Sequence, residues 1–409
     1  MTNEQRSELN KFLEDVVGEL EIPAYIMDNL QKSYEALGGL LNAEVDDMLK
    51  GRKVSVYYQG SLGLGTAIRP QNDEDDVDVD MICEVHPIVG WTQKQLKNAV
   101  GDRLKSNATY NRLLEPEGTR CWKLKYRKGS ENTADRYHVD ILPATASNAQ
   151  TLEERIKAFD ATNPDWQKLL LSITDNKRND YATSRFIWEW LKSNPRAYRL
   201  WFEMQCQRGS MILKEFRASV EPFPKSKSKT VLQKAVMLLK RHRDIKYGGD
   251  ENKPISCIIT TLAALAYSGE QDLASALEGI AGRMRGFIKF DGINYRIENP
   301  VNPDENFADK WAIYPNRKKI FFEWLSEIEG EFGRGELLNE SFIKRSEGFK
   351  KVFGETLVTK VISKADNEMR TLQDSGRGGV IKKTGTLVST LSSGAALSAG
   401  NNFFGADED

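Results

Sequence analysis

Residues 59–83 read QGSLGLGTAIRPQNDEDDVDVDMIC. A Gly60-Ser61 pair opens the stretch. Asp73, Glu74, Asp75, Asp76, Asp78 and Asp80 then lead into apolar Met81-Ile82-Cys83. Acidic runs ordinarily lie on solvated loops, yet this one enters VDVDMICEV (77–85), which reads as a strand. Successive strand side chains take opposite faces, so Asp76, Asp78 and Asp80 share one face while Val77, Val79 and Met81 share the other. Residues two apart lie about 6.5–7 Å apart along the backbone. Two carboxylates at that spacing can converge on a pair of divalent ions about 3.5–4 Å apart, an arrangement suited to in-line phosphoryl displacement. Mg²⁺ favours hard oxygen ligands, a few of them carboxylates and the rest phosphate or water. The glycines around Ser61 allow the backbone to approach a phosphate closely.

A third carboxylate is expected from a neighbouring strand. In RYHVDILP (136–143), Tyr137, Val139 and Ile141 face one way and His138 and Asp140 the other. An aspartate among strand formers is costly without a partner, and a metal would be one. D-x-D alone is a weak signal. Gly-Ser, a strand-borne D-x-D and a second strand with an aspartate before two apolar residues and a proline are together far more specific.

The chain has 409 residues, 40% hydrophobic and 29% charged, with a formal net charge of −1. That is enough for one large bilobal unit or two to three ordinary domains. Near-neutral charge means that any nucleotide binding comes from local patches. Cys83, Cys121, Cys206 and Cys257 are scattered without a C-x-x-C pair, which argues against a zinc site or disulfide framework and fits a reducing cytoplasm. The polar N-terminus lacks the apolar core of a signal peptide, and no run of about 18 apolar residues is present, so no membrane span is expected.

Periodicity predicts two helices in residues 5–49, broken near Ile22-Pro23, then a short strand at 53–58. A helix at 91–105 and strands at 119–127 and 136–142 complete a sheet with flanking helices over roughly 45–180. From about Asp180 the pattern turns helical, including RFIWEWLKSN before Pro195, VLQKAVMLLKRHRDIKY with its basic end, and the apolar ISCIITTLAALAYSG. Residues 319–328 and 340–370 add helix, and 375–409, rich in Gly, Ser and Thr, read as a flexible tail.

The order Gly60-Ser61, Asp78-x-Asp80, Asp140 resembles the polymerase-β-type nucleotidyltransferase superfamily. More narrowly, the chain is similar to the bacterial cyclic-oligonucleotide synthases of anti-phage signalling, the CD-NTases related to cyclic GMP–AMP synthase. The segments carrying that likeness are Gln59-Gly60-Ser61, DVDMIC (78–83), HVDILPA (138–144), SNPRAYRLWFE (193–203), LQKAVMLLKRHRD (232–244), KPISCIITTLAA (253–264) and ENPVNPDENFADKW (298–311). The resemblance implies an α+β fold: a bilobal nucleotidyltransferase core with a mixed sheet and flanking helices, plus a helical lobe. The divisions expected are N-terminal helices at 1–50 bracing both lobes, a nucleotidyltransferase core at 51–180, a helical lobe at 181–372 and a tail at 373–409.

Carried over residue by residue, the resemblance implies that Asp78, Asp80 and Asp140 ligate Mg²⁺, or Mn²⁺ in its place, and that Asp140 helps hold the nucleophile. Gln59, Gly60 and Ser61 would take the donor triphosphate. Lys240, on the basic helix end, matches a triphosphate-binding lysine, or is a solvated cation near a helix C-terminus. Ser256 would assist at a helix N-terminus, or is a simple N-cap. RFIWEWL (185–191), Tyr198, Trp201 and Phe202 read as core, NPVNPDENFADKW as a structured turn, and His138 as a structural histidine. KSKSK (225–229) reads as a solvated loop. The missing Cys/His cluster argues against duplex-DNA sensing.

Asn401-Asn402-Phe403-Phe404-Gly405 resembles the tail end through which relatives are joined to targets by a ubiquitin-like (E1/E2-type) conjugation partner, although Ala406–Asp409 follow it. The activity implied is condensation of NTPs into a cyclic di- or trinucleotide that activates an anti-phage effector, with pyrophosphate released. The alternatives are linear oligonucleotide synthesis or tRNA 3′-end addition on the same core, or a non-catalytic nucleotide-binding scaffold.

Overall fold

The computed structural model describes residues 2–71, 76–127, 136–148, 150–160, 164–207 and 228–374, and the backbone of 378–381, 386–389 and 396–397. Contacts divide the chain into two compact units, Met1–Ser341 and Phe342–Asp409. The expected boundary at 180/181 therefore lies inside the first unit.

Helices α1 (Asn3–Leu20) and α2 (Ala24–Leu41) flank the break anticipated at Ile22-Pro23. Thr2 starts α1 with a capping box: its hydroxyl accepts from Gln5 N at 3.2 Å, and Gln5 Oε1 accepts from Thr2 N at 2.8 Å. The chain then forms β1 (Lys53–Gln59), a single turn α3 (Gly60–Gly63), β2 (Val77–His86), α4 (Gln93–Ser106), α5 (Ala108–Leu113), β3 (Trp122–Tyr126), β4 (Tyr137–Ala146), α6 (Leu152–Lys157), β5 (Leu171–Ile173) and β6 (Leu191–Ser193). The strands make one mixed sheet in the order β1-β2-β4-β5-β6, with β3 also paired to β4. Only β2 and β4 run parallel; the other pairs are antiparallel.

Period-two alternation divides the work of the two sheet faces. Val77, Val79, Met81, Val139 and Ile141 bury one face against Leu30 and Leu37 of α2 and Leu96 and Val100 of α4. On the other face Tyr57, Ile82, Leu142 and Ala144 pack with Leu171 and Ile173 of β5. That second apolar cluster covers only the C-terminal half of β2 and β4. The N-terminal half of the same face carries Asp78, Asp80, His138 and Asp140.

The helical region comprises α7 (Pro195–Gln207), α8 (Val231–Tyr247), α9 (Ser256–Ala266), α10 (Leu273–Arg283) and α11 (Pro315–Ile328). Short pairs β7 (Lys289–Phe290) with β8 (Tyr295–Arg296), and β9 (Glu298–Asn299) with β10 (Asn302–Asn306), connect α10 to α11. As its composition predicts, α9 is buried nearly all round and packs against α7, α8 and α10. Helix α1 packs on α8 and α10, and α2 on β1 and α4. No described helix is long and apolar enough to cross a membrane.

Sequence periodicity fails at 185–193. The expected helix is a 3₁₀ turn, Ile187–Glu189, followed by the edge strand β6. The residue before a proline is pushed toward extended backbone, and Asn194 precedes Pro195. Pairing with β5 then fixes the extended run. Trp190 is buried as anticipated, whereas Phe186 and Trp188 are exposed and stacked at 4.9 Å.

In the second unit, α12 (Phe342–Phe353) and α13 (Glu355–Asp374) split the expected 340–370 helix at Gly354, whose φ of 101° suits glycine. In the stretch read as a tail, β11 (Gly378–Ile381) pairs with β12 (Thr386–Ser389) and β13 (Ala396–Leu397). The KSKSK loop up to Lys227 and the Asn401–Gly405 ending fall outside the described residues.

One buried cation ties α2 to the sheet layer. Arg103 of α4 is 1% exposed. Its Nη1 donates to the carbonyls of Leu40, Leu41 and Ala43 at 2.7–3.3 Å, and its Nη2 to Asp47 Oδ1 at 2.6 Å. Nε donates to the other Asp47 oxygen. The guanidinium thus caps carbonyls at the C-terminal end of α2, which have no helical partner. Arg103→Met should destabilise the protein by roughly 3–5 kcal/mol, because it strands Asp47 and the carbonyls together. Chemical denaturation measures this, and Lys105→Met, an exposed neighbour, should shift stability by less than about 0.5 kcal/mol.

Candidate active site

The site begins where β1 ends. Gln59 is the Cα partner of Asp80 across β1–β2, so the α3 turn starts directly beside that carboxylate. Gly60 has φ of 62°, and a Cβ there would overlap the Asp80 carboxylate. Glycine is required at this position by both backbone and space.

The loop after Ser61 is held from the helical region. Thr66 N donates to Ser61 O at 2.9 Å. From α8, Gln233 Nε2 donates to Leu64 O at 2.9 Å and Lys240 Nζ to Thr66 O at 2.8 Å. Lys240 is therefore not on a solvated helix end. It stands in the body of α8, 4% exposed, and burial, with Arg243 beside it, pushes its ammonium down to about 7. Ser256 is likewise no N-cap: Ile255 holds that position, and Ser256 Oγ accepts from Arg243 Nη1 at 2.8 Å.

The acidic residues separate by what surrounds them. Asp73, Glu74 and Asp75 lie outside the described residues. Asp76 Oδ2 is 2.8 Å from Lys125 Nζ and 3.0 Å from His138 Nδ1. That accounts for His138 as a structural partner. Glu84, further along the same face, is matched by Arg155 and by the Tyr57 hydroxyl at 3.0 Å. Among the described residues, Asp78 and Asp80 have no such hydrogen-bonded or ion-paired partner.

Parallel pairing of β2 with β4 sets Asp80 in register with Asp140, and Asp78 with His138. Desolvation, together with Asp140 and Asp78, pushes Asp80 up to about 6. Desolvation and Asp140 also raise Asp78. Asp140 Oδ2 lies 3.1 Å from Lys123 Nζ of β3, and its buried Oδ1 has no hydrogen-bond partner among the described residues. No three acidic, histidine or cysteine side chains among the described residues stand ready as a metal cage. Even so, crowded carboxylates that resist ionisation, with an orphaned oxygen among them, form the hard-oxygen donor set that a divalent cation would satisfy.

Gln59, Gly60, Ser61, Asp78, Asp80, Lys240 and Ser256 all line one cleft of about 400 Å³. Asp140 adjoins Asp80 without forming part of that wall. Further lining residues were not read from sequence as part of a site: Tyr198, Asn299, Glu305 and Phe307. The Tyr198 hydroxyl is 2.7 Å from Thr261 Oγ1, and its ring meets Phe307 edge-on at 6.2 Å. Asn299 Nδ2 donates to Glu305 Oε2 at 2.8 Å. Trp201 and Phe202 are core, as expected, whereas Tyr198 on the same helix faces the cleft.

Residues 4–169 match the model of the Second Messenger Oligonucleotide or Dinucleotide Synthetase (SMODS) domain. Over that segment the chain is similar to the SMODS domain, and the likeness to curated cyclic dinucleotide synthases runs over most of its length. It is 28% identical over 341 residues to a c-di-GMP synthase of Roseivirga ehrenbergii, covering 81% of each chain. It is 22% identical to the cyclic dinucleotide synthase CdnG of Bradyrhizobium diazoefficiens, over 93% of this chain and 88% of that one. The solved structure of that CdnG in complex with GTP shares the fold, with a TM-score of 0.59 at 19% identity over 88% of this chain and 99% of the other. The SMODS match takes in Gln59 through Asp140. Lys240, Ser256 and the Tyr198–Phe307 wall lie beyond it, so the cleft is completed by sequence outside the matched domain.

An ordinary aspartate has a value near 3.8, and Asp80 stands at about 6, so its ionisation opposes folding. The cost is absent below the unfolded value, grows between the two and is full above the folded one. Asp80→Asn should therefore stabilise the metal-free protein by on the order of 2 kcal/mol at about pH 7.5, with the gain vanishing below about pH 4. Thermal denaturation across that range tests the sign; a pH-independent change would contradict it.

Proposed function

We propose that this chain condenses nucleoside triphosphates into a cyclic dinucleotide signal, releasing pyrophosphate at each of two steps. The observation that carries the reading is the convergence of Asp78 and Asp80 with the Gly60-Ser61 turn and Lys240 in one cleft, with Asp140 in register beside Asp80. The volume suits a nucleotide-sized ligand. The activities named for the Roseivirga and Bradyrhizobium relatives support the cyclic product.

In each step a ribose hydroxyl attacks an α-phosphorus. A P–O bond forms, the bond to the β-phosphate's bridging oxygen breaks, and pyrophosphate leaves with that electron pair. Gly60 and Ser61 bring backbone amides and a hydroxyl to the triphosphate, and Lys240 fixes the loop that carries them while placing positive charge beneath it. Asp78, Asp80 and Asp140 would hold Mg²⁺, or Mn²⁺ in its place, which would neutralise phosphate charge and acidify the hydroxyl. Asp140 would receive the hydroxyl's proton. Tyr198 and Phe307 offer an aromatic face for a base. Closure repeats the same displacement on the linear intermediate, so the same residues serve both steps.

Incubation with α-³²P-labelled NTPs and Mg²⁺ or Mn²⁺ should give phosphatase-resistant products whose mass is that of a cyclic dinucleotide. Asp78→Ala combined with Asp80→Ala should reduce the rate by roughly 10³-fold or more. A phosphatase-sensitive ladder would replace cyclisation with linear synthesis, and absence of turnover in the unmodified chain would remove the enzymatic reading.

A further inference from the structure

Strand β3 lies antiparallel to β4, with Lys123 opposite Asp140 and Lys125 opposite His138. Trp122 and Leu124 are buried beneath the sheet, and the Trp122 indole donates to Lys97 O at 2.8 Å. Strand alternation then forces both lysines onto the carboxylate face. Each meets an aspartate, but in different settings. Lys125 and Asp76 have side chains 28% and 7% exposed, and His138 closes the pair from the other side. Lys123 and Asp140 are 47% and 25% exposed, and Lys123 reaches one Asp140 oxygen at 3.1 Å while the other has no hydrogen-bond partner among the described residues.

The charge of Lys123 also acts on Asp78 and Asp80. It thus offsets the repulsion of the whole carboxylate group from the side away from α8. A half-exposed pair of this kind is weakly held, and a lysine stem swings into solvent at little cost. A divalent cation carries twice the charge and attracts the same oxygens more strongly.

We propose that Lys123 is an exchangeable counter-ion of Asp140, holding that carboxylate in the metal-free protein and giving it up when a divalent cation binds. The proposal rests on the reading of Asp78, Asp80 and Asp140 as metal ligands. Lys123 is on this account a positioning residue: it keeps the third carboxylate in place before loading, and it competes with the metal for it.

The test is Mn²⁺ binding to the full chain without nucleotide, measured by electron paramagnetic resonance of free Mn²⁺ and by calorimetry. Lys123→Met should tighten binding roughly 3- to 30-fold, since it removes a positive charge a few ångströms from the bound ion. Lys123→Arg should restore affinity to within about 2-fold of the unmodified chain, and Lys125→Met should leave it there. Asp140→Asn should weaken it. Unchanged or weaker binding in Lys123→Met, alongside weakened binding in Asp140→Asn, would overturn the counter-ion proposal alone. Unchanged binding in Asp140→Asn would remove that carboxylate from the metal site and end both readings.

Discussion

The parallel pairing of β2 with β4 sets Asp80 beside Asp140 on the open half of a sheet face, and the rest of the site follows from it. Like charges on adjacent strands repel, and the opposite face of both strands is fully committed to the core. Burial and repulsion therefore accumulate on a pair of residues that cannot move apart without losing Val79, Met81, Val139 and Ile141 from their packing. A sheet tolerates such a pairing where a cation relieves it, and Lys123 does so only in part. The neighbouring carboxylates make the contrast with Asp78 and Asp80 plain: Asp76 and Glu84 are neutralised by cations of the same unit, as Asp140 is in part by Lys123, and none of these three is on the cleft wall.

The second constraint joins distant parts of the chain. The Gly60–Thr66 loop is closed by its own backbone bonds and held in addition from α8, where Gln233 and Lys240 each donate to a loop carbonyl. A lysine that could have been a mobile surface charge is instead a buried strut beside the Gly60–Thr66 loop. This links the helical region to the loop beside the carboxylate face through single hydrogen bonds. It also explains why the cleft needs residues far beyond the matched SMODS segment.

Much of the fold was legible because its signals are local. Alternation in 77–85 and 136–142 marks strands, helical spacing marks α1, α2, α8 and α9, and Pro23 marks a break, whereas the break at Gly354 went unread inside the helix expected at 340–370. The run 185–193 was misread because aromatic residues at mixed spacing fit a helix and an edge strand equally, and pairing with β5 decided between them. In the site, Gln59, Gly60, Ser61, Asp78 and Asp80 come from contiguous or nearly contiguous sequence, and their shared face could be worked out on paper. Tyr198, Asn299, Glu305 and Phe307 could not, because which side of α7 faces a cleft depends on how α9 and the β9–β10 pair close over it.

Sequence alone determined which carboxylates share a strand face, where a glycine-rich turn precedes them and which residue types suit phosphoryl chemistry, since period-two geometry and backbone freedom are properties of neighbours in the chain. Tertiary structure alone decided which of those charges lack an internal partner, that Lys240 is buried against Thr66, and that Lys123 stands on Asp140. Electrostatic satisfaction depends on distances between residues tens to hundreds of positions apart, and only the packed sheet and helices set those distances.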